Sequence, residues 1–454
     1  MVLLVCTIEL GSVGYAQMGG GGMGSFGGAT DPSMALVTDG FKIIPSIGAA
    51  QRYDSNVFMA PKAPGLDRSD YVSTLKPQIR GIFDGGGMKL NASVGGTAEY
   101  YMKNTNFNYM GANAGLFLNL GTILDPLWQG MKVTITDTFS YTPVPPAFFA
   151  GDQSSATTTT TTTTTSTLVA YGGPNGMQVG RVSSTNNNFG GSLTAPLSQT
   201  LSLTGSYSRG FFRFGTSEVQ QSGLLLNTSS QTFTVGVLSK LSPQDTVNLS
   251  YTESSFKYEQ AVGTSFTTRG GTLGWVHLFS PSVSLSTTAG AQLFEGGLGG
   301  SSSISTTTSS TSGAGSSSPS SSIVPTAGLG LTWKDQTTML SLMYGLSLTP
   351  SYQFDAQPLL TNTVSLSGKQ VMPIPDLVGL LSANYARGDE FGPTSANSIS
   401  YSSYGGSGGV LYKITTKTFL NLNYQYTKFD SQFGAQAFSM DRHLVSLNIT
   451  QAFY

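Results

Sequence analysis

The chain has 454 residues, a length that two or three ordinary domains would fill. Only 10% of them are charged, where about 25% is usual for a soluble protein, and the formal net charge of −1 offers no basic field to draw nucleic acid. With 25 Phe and 20 Tyr the chain is too aromatic for a disordered one, and it holds no apolar run of the roughly 18 residues that a membrane helix needs.

Taken in order, residues 1–16 read as a secretory signal peptide. Val2 to Val5 begin an apolar stretch, and Gly14 and Ala16 are the small residues before a cut at Gln17. The single cysteine, Cys6, lies inside that segment; Val5 before it is too large for a lipidation site, so the expected mature chain has no disulfide. Residues 17–40 form a Gly-rich leader, expected to be flexible. Its glycines follow no strand and precede no Gly-Lys-Ser/Thr, so it is not a phosphate loop.

From Phe41 onward, segments of alternating polarity recur: 41–53, 70–83, 87–101, 107–121, 128–142, 180–196, 200–213, 230–242, 245–257, 265–280, 283–295, 321–334, 337–352, 361–372, 376–388, 396–413, 416–430 and 439–454. Val247, Leu249 and Tyr251 take one face, and Thr246, Asn248 and Ser250 the other. Leu340, Leu342, Tyr344, Leu346 and Leu348 oppose Ser341, Gly345 and Ser347, with Met343 out of phase. Segments 180–196 and 396–413 are rich in Gly, Ser and Asn and alternate poorly. Each segment exceeds the roughly 9–11 residues of a transmembrane strand.

The connections carry an independent signal. "DGGG", "SPQD", "SPS", "KDQ" and "MPIPD" are short and rich in turn residues, whereas 54–69, 143–179, 214–229, 296–320, 353–360, 389–395 and 431–438 are longer. Short and long alternate, as the two sides of a membrane would require. The loops 143–179 and 296–320 are low in complexity, with an unbroken threonine run from Thr157 to Thr165 in the first, and should be flexible. Loop 143–179 is also long enough to fold inward as a constriction.

An open sheet in hydrocarbon would leave backbone groups unpaired along its edges, at several kcal/mol each. The last segment must therefore pair with the first. The fold expected for 41–454 is an all-β, closed antiparallel transmembrane β-barrel of about 18 strands, its final strand facing lipid through Val445, Leu447, Ile449 and Phe453. In the polar parity of the first five strands stand Lys42, Arg52, Lys76, Arg80, Lys89, Glu99 and Lys132, a basic stripe along a channel otherwise lined by Ser, Thr, Asn and Gln. Such a stripe favours anions. Tyr53, Tyr71, Tyr100, Tyr101, Trp128, Tyr141, Tyr251, Tyr424 and Tyr426 read as interfacial girdle residues.

"FKIIPSIGAAQRYDSNVF", Phe41 to Phe58, carries a Pro-containing strand followed by an aromatic–Asp–x–Asn motif, Tyr53, Asp54 and Asn56. It resembles the opening strand of an outer-membrane β-barrel porin family of Gram-negative bacteria whose members are associated with exopolysaccharide export. The closing aromatics Phe453 and Tyr454 resemble the C-terminal signal that barrel-insertion machinery reads, although only Phe453 shares the lipid-facing parity. The resemblance implies residence among outer-membrane lipid, a pore and a periplasmic polysaccharide-export partner. Asp54 and Asn56 read either as cation ligands or as a turn cap, Asx residues being common in the second role.

Function is expected to be passage of hydrophilic solutes across the bacterial outer membrane, with polysaccharide secretion, general diffusion, or a plugged surface-display or adhesion barrel as the alternatives. No enzyme is expected. His277 and His443 lie far apart, with no Ser or carboxylate at motif spacing, and the sequence shows no cofactor motif or metal-ligand cluster.

Overall fold

Eighteen strands follow one another in the computed structural model, which describes residues 40–58, 67–142, 183–215, 227–259, 265–296, 320–349, 358–391, 399–433 and 436–453. They are β1 (Gly40–Asp54), β2 (Asp70–Gly85), β3 (Met88–Tyr101), β4 (Tyr109–Asn119), β5 (Lys132–Thr142), β6 (Ser184–Pro196), β7 (Leu201–Phe214), β8 (Thr228–Lys240) and β9 (Asp245–Tyr258). The ring continues through β10 (Ser265–Ser280), β11 (Val283–Gly296), β12 (Ser320–Lys334), β13 (Thr338–Thr349), β14 (Leu359–Val371), β15 (Leu377–Glu390), β16 (Ile399–Lys413), β17 (Thr418–Phe433) and β18 (Gln436–Ala452). The segments expected at residues 1–16 and 17–39, loop 143–179, Tyr454 and all of loop 296–320 except its two end residues lie outside the described residues.

Each strand pairs antiparallel with its chain neighbours, and β18 pairs with β1 from Ser46↔Ala452 to Asp54↔Leu444, so the sheet closes on itself. The closed ring thereby leaves no strand at an open edge, the condition hydrocarbon imposes. At the β2–β3 turn, Gly86 and Gly87 have φ of 59° and 79°, the left-handed pair that a two-residue hairpin requires.

Connections on one side are short: 86–87, 197–200, 241–244, 281–282, 335–337, 372–376 and 414–417. On that side 120–131 is the exception, with a 3-10 turn at Thr122–Leu124 and Trp128 donating from its indole nitrogen to the Pro196 carbonyl at 2.8 Å. On the opposite, outer rim the long connections gather. The connection expected at 431–438 shrinks to 434–435, because the β17–β18 ladder runs on to Phe433↔Gln436.

Prolines within strands mark where pairing lapses, since proline has no N–H to give. Pro45 lies just beyond the last β1–β18 pair, and its carbonyl accepts from Phe453 N at 2.8 Å. Between Leu75↔Ala98 and Gln78↔Gly95 the β2–β3 ladder skips the stretch holding Pro77. The β12–β13 ladder stops at Ala327↔Leu346, below Pro325.

The outer wall is apolar. Ile47, Leu75, Ile79, Val94, Leu249, Leu273, Leu329, Leu381, Leu422 and Leu447 are all exposed there. Residues of the other parity face the lumen and are mostly Ser, Thr, Asn and Gly. An apolar outside and a polar inside is the inverse of a soluble sandwich, and it is the surface that lipid would cover.

Candidate functional site: the inner wall of the barrel

The polar wall follows from strand parity and register. On β1 and β2 the inward positions, as paired rungs, are Lys42↔Ile82, Ile44↔Arg80, Ser46↔Gln78, Gly48↔Lys76, Ala50↔Thr74 and Arg52↔Val72. Four basic side chains, Lys42, Arg80, Lys76 and Arg52, thus climb one seam of the wall. Lys89, Glu99 and Lys132 take the same inward parity on β3 and β5.

Their surroundings differ. Arg52 is buried and forms a bidentate pair with Glu99, Nη1 to Oε1 at 3.0 Å and Nη2 to Oε2 at 2.9 Å, while the Tyr101 hydroxyl accepts from Arg52 at 3.1 Å and donates to Glu99 at 2.9 Å. Arg80 donates from Nε to Asn91 Oδ1 at 2.8 Å. Lys89 lies 3.5 Å from Asp84 near the short-turn end, where both are well exposed. Lys132 is exposed at the start of β5. Arg52 and Lys89 are therefore balanced by carboxylates of the same wall.

The Tyr53–Asp54–x–Asn56 motif sits at the closure seam. Asp54 accepts from Arg442 of β18 at Nε (2.9 Å) and Nη2, and also from the Asn56 backbone N–H at 3.0 Å. Asn56 Nδ2 donates to the Asp441 carbonyl at 3.1 Å, and the Ser55 N–H donates to the His443 carbonyl at 3.0 Å. Both Asp54 and Asn56 are fully buried, so the motif caps the end of β1 and fastens the first strand to the last. Tyr53 faces outward, its ring 5.2 Å from that of Tyr71. Phe453, beyond the last strand, is exposed.

The girdle expectation needs one correction. Tyr101 is inward and buried, committed to the Arg52–Glu99 pair, because it shares parity with Glu99 and not with Tyr100. Tyr71, Tyr100, Tyr141, Tyr251 and Tyr424 are exposed on the outer face.

Two apolar clusters that sequence reading missed line the lumen toward the outer rim. Phe256, Tyr258, Phe266, Phe294 and Val324, from β9 to β12, pack together with Leu348, Leu360 and Phe391 against them. The Phe256 and Phe266 rings stack at 4.8 Å, and Phe294 meets Phe391 edge-on at 5.9 Å. Val72, Tyr101 and Phe107 form the second, with Val57, Phe58 and Tyr109. The signal for the first was present: Phe256 and Tyr258 share the parity of Ser250, Thr252 and Ser254. β1 and β10 stand opposite in an 18-strand ring, so the larger aromatic patch faces the ionic seam across the lumen.

Burial of the inward side chains rises toward the outer rim. On β2, Asp70, Val72 and Thr74 are buried while Lys76, Gln78 and Arg80 are half-buried; on β16, Tyr401 and Ser403 are buried while Gly405 and Ser407 are half-buried. The wall crowds in toward the outer rim and opens toward the short turns.

At the outer rim, Asp67 is bound by Lys103 Nζ at 2.7 Å and by Ser69, whose hydroxyl and N–H donate at 2.9 and 3.1 Å. The Lys103 hydrogen bond, followed by those from Ser69, holds the Asp67 carboxyl down at about 2. His277 pairs with Asp245 at 2.8 Å on the outward face, a carboxylate that motif spacing did not reveal; Asp245 also accepts from Trp275 at 3.0 Å and from Ser242 at 2.8 Å. Ser242 donates to the acid and not to the histidine, so the three make no nucleophile–base relay. Among the described residues no three His, Cys, Asp or Glu side chains gather as a metal site would require.

A closed 18-strand barrel with an apolar exterior and a hydrogen-bonding, partly ionic lumen is the class that fold and wall define. No protein-family model matches the chain, and no curated protein does. Among solved structures it is similar to Pseudomonas aeruginosa OccK2 (OpdF), with 11% identity over 91% of this chain and 98% of that one and a TM-score of 0.45. A structure of OccK2 in complex with glucuronate matches at 10% identity over 91% and 99%, also with a TM-score of 0.45. Acinetobacter baumannii OccAB2 matches at 10% identity over 91% and 98%, with a TM-score of 0.44.

Proposed function

We propose that this protein is an outer-membrane channel for small hydrophilic solutes. The observation that carries the reading is the closed ring of 18 strands, apolar outside and hydrogen-bonding inside. Side chains fill a barrel of about eight strands, whereas 16 to 18 strands leave an aqueous channel. The seam of Lys42, Arg80, Lys76 and Arg52 against a wall of Ser, Thr and Asn supports a preference for anions, tempered where Glu99 holds Arg52. Reconstitution of the full chain in planar bilayers tests this. Discrete conductance steps with permeability higher for chloride than for potassium are expected, and a silent bilayer containing folded protein would overturn the channel.

A narrower proposal follows from the resemblance of Phe41–Phe58 to export-associated porins: the solute is a secreted polysaccharide, delivered by a periplasmic partner. Its support is that sequence likeness alone. Blockade of single-channel current by acidic oligosaccharides, applied from the short-turn side and deepening with chain length, is its expected signature. Equal passage of monosaccharides with no effect of the oligomers would leave only the general channel.

A further inference from the structure

One carboxylate stands in the wrong place for a barrel in lipid. The outward series of β5 runs Val133, Ile135, Asp137, Phe139, Tyr141, so Asp137 has two apolar residues on either side of it along its strand. Its rung neighbours are Leu116 and Phe189, both exposed on the outer wall. The outward carboxylates Glu253, Glu295 and Asp389 lie instead at the upper ends of their strands, paired with Arg269 and Arg387. An ionisable side chain facing hydrocarbon is costly and rare, and it is kept where a partner takes it out of the lipid.

Within the chain Asp137 finds one neutral partner. Asn187 Nδ2 on β6 donates to Asp137 Oδ1 at 2.8 Å and to the Thr138 carbonyl at 3.2 Å. That leaves Asp137 Oδ2 and Asn187 Oδ1 as acceptors with no donor among the described residues. The surface therefore calls for a donor from outside, which an acyl chain does not have.

A donor stands two strands away on the same wall. The rung of Asp137 passes through Phe189 to Arg209 of β7. Rungs climb around a tilted barrel, however. Lys132, where β5 begins, is on the rung of Thr204, three residues above the start of β7 at Leu201. The outward β7 residue level with Asp137 is therefore Tyr207. It is 40% exposed, and its hydroxyl has no hydrogen-bond partner among the described residues. Two strand spacings, about 10 Å, keep it from the Asp137 of its own chain. Between the two lie Gly191, on the rung of Tyr207, and Gly205. A Cβ would meet nothing closer than 3.8 Å at Gly191 or 3.9 Å at Gly205, so packing within the sheet does not require glycine at either position. Their effect is to leave the outer surface low at β6.

We propose that the lipid-facing surface of β5, β6 and β7 is an interface with a second copy of this chain. An acceptor and a donor at one level, flanking β6, make the surface self-complementary. A two-fold rotation about an axis along the membrane normal, passing over β6, brings each Asp137 to the Tyr207 of the other copy. Such isologous contacts are the commonest way for like chains to pair. Both barrels keep the same orientation in the membrane, and the glycines let the walls approach, as small residues do between membrane-embedded elements.

The test uses the full chain with Cys6→Ser, folded into liposomes, with folding checked by the heat-modifiable gel shift. Gly191→Cys lies next to the axis and is expected to give a disulfide-linked dimer on mild oxidation. Ala383→Cys, exposed on β15 across the ring, is expected to stay monomeric. Energy transfer between labelled copies, followed as lipid is added, reports the affinity. Asp137→Leu and Tyr207→Phe should each weaken association by about tenfold or more, because symmetry removes two hydrogen bonds at once. A monomeric wild type, cross-linking at Ala383→Cys as strong as at Gly191→Cys, association unchanged in both Asp137→Leu and Tyr207→Phe, or pairing only with a different membrane protein would each overturn the interface. Asp137 faces away from the lumen, so Asp137→Leu should keep the single-channel conductance, and the channel reading stands or falls separately.

Discussion

At the scale of residues, the strongest commitments are buried ion pairs at the seam. Asp54 and Arg442 belong to the first and last strands, separated by almost the whole chain, and both are nearly inaccessible. Removing one partner leaves the other charged and buried, at a cost of about 3–5 kcal/mol. Asp54→Ala and Arg442→Ala are each expected to cost that much in urea unfolding followed by the heat-modifiable gel shift. The double variant should cost clearly less than the sum, because neither charge is then stranded. Asp67 behaves differently, since it is exposed and its ion pair with Lys103 adds little to stability. Its carboxyl is held down at about 2 from an ordinary 3.8, so the link between the two outer connections is present above the ordinary value and is lost as pH falls through about 2. Carboxyl NMR should show Asp67 still ionised at pH 3, and a midpoint near 4 would mean that Lys103 does not hold it.

At the scale of elements, the polarity of each strand's two faces is the organising quantity. On β9 the outward series runs Asp245, Val247, Leu249, Tyr251, Glu253, so apolar residues are bracketed by carboxylates at 245 and 253. His277 and Arg269 bracket β10 in the same register. Eight residues at ~3.4 Å each give about 27 Å of strand, or about 20 Å of height at a tilt of ~40°, close to the apolar band of about 25 Å that outer-membrane barrels show. Leu249 sits in the middle of that band beside Val237 and Leu273. Leu249→Arg should therefore cost about 2–4 kcal/mol in folding into liposomes. Ser206, exposed on the lumen face of β7, faces water, and Ser206→Arg should stay within about 0.5 kcal/mol. Similar costs for the two would mean that the faces have been assigned wrongly.

At the scale of the whole molecule, closure turns eighteen half-apolar ribbons into one object with an inside. The basic seam and the aromatic patch lie on opposite walls only because the ring brings β1 and β10 face to face across it. Reversing Lys42 and Arg80 together to Glu should move the reversal potential in a KCl gradient toward cation selectivity. An unchanged potential would mean that the seam does not set the permeation field.

Every one of the eighteen strands was legible in the sequence, including Ser184–Pro196 and Ile399–Lys413, whose alternation is poor. Period-two polarity and turn chemistry are local properties, and hydrocarbon outside with water inside enforces them along the chain. Closure was legible too, because an open edge in lipid is too costly to persist. Which inward charges find partners was not. Arg52 needed Glu99 from two strands away, Asp54 needed Arg442 from the far end of the chain, and Tyr101 turned inward to join the first pair. Likewise Phe256, Phe266, Phe294 and Phe391 cluster only once the ring brings their strands together. Parity told each side chain which phase to face, but register and curvature, fixed only by the assembled sheet, decided which neighbour it would meet there.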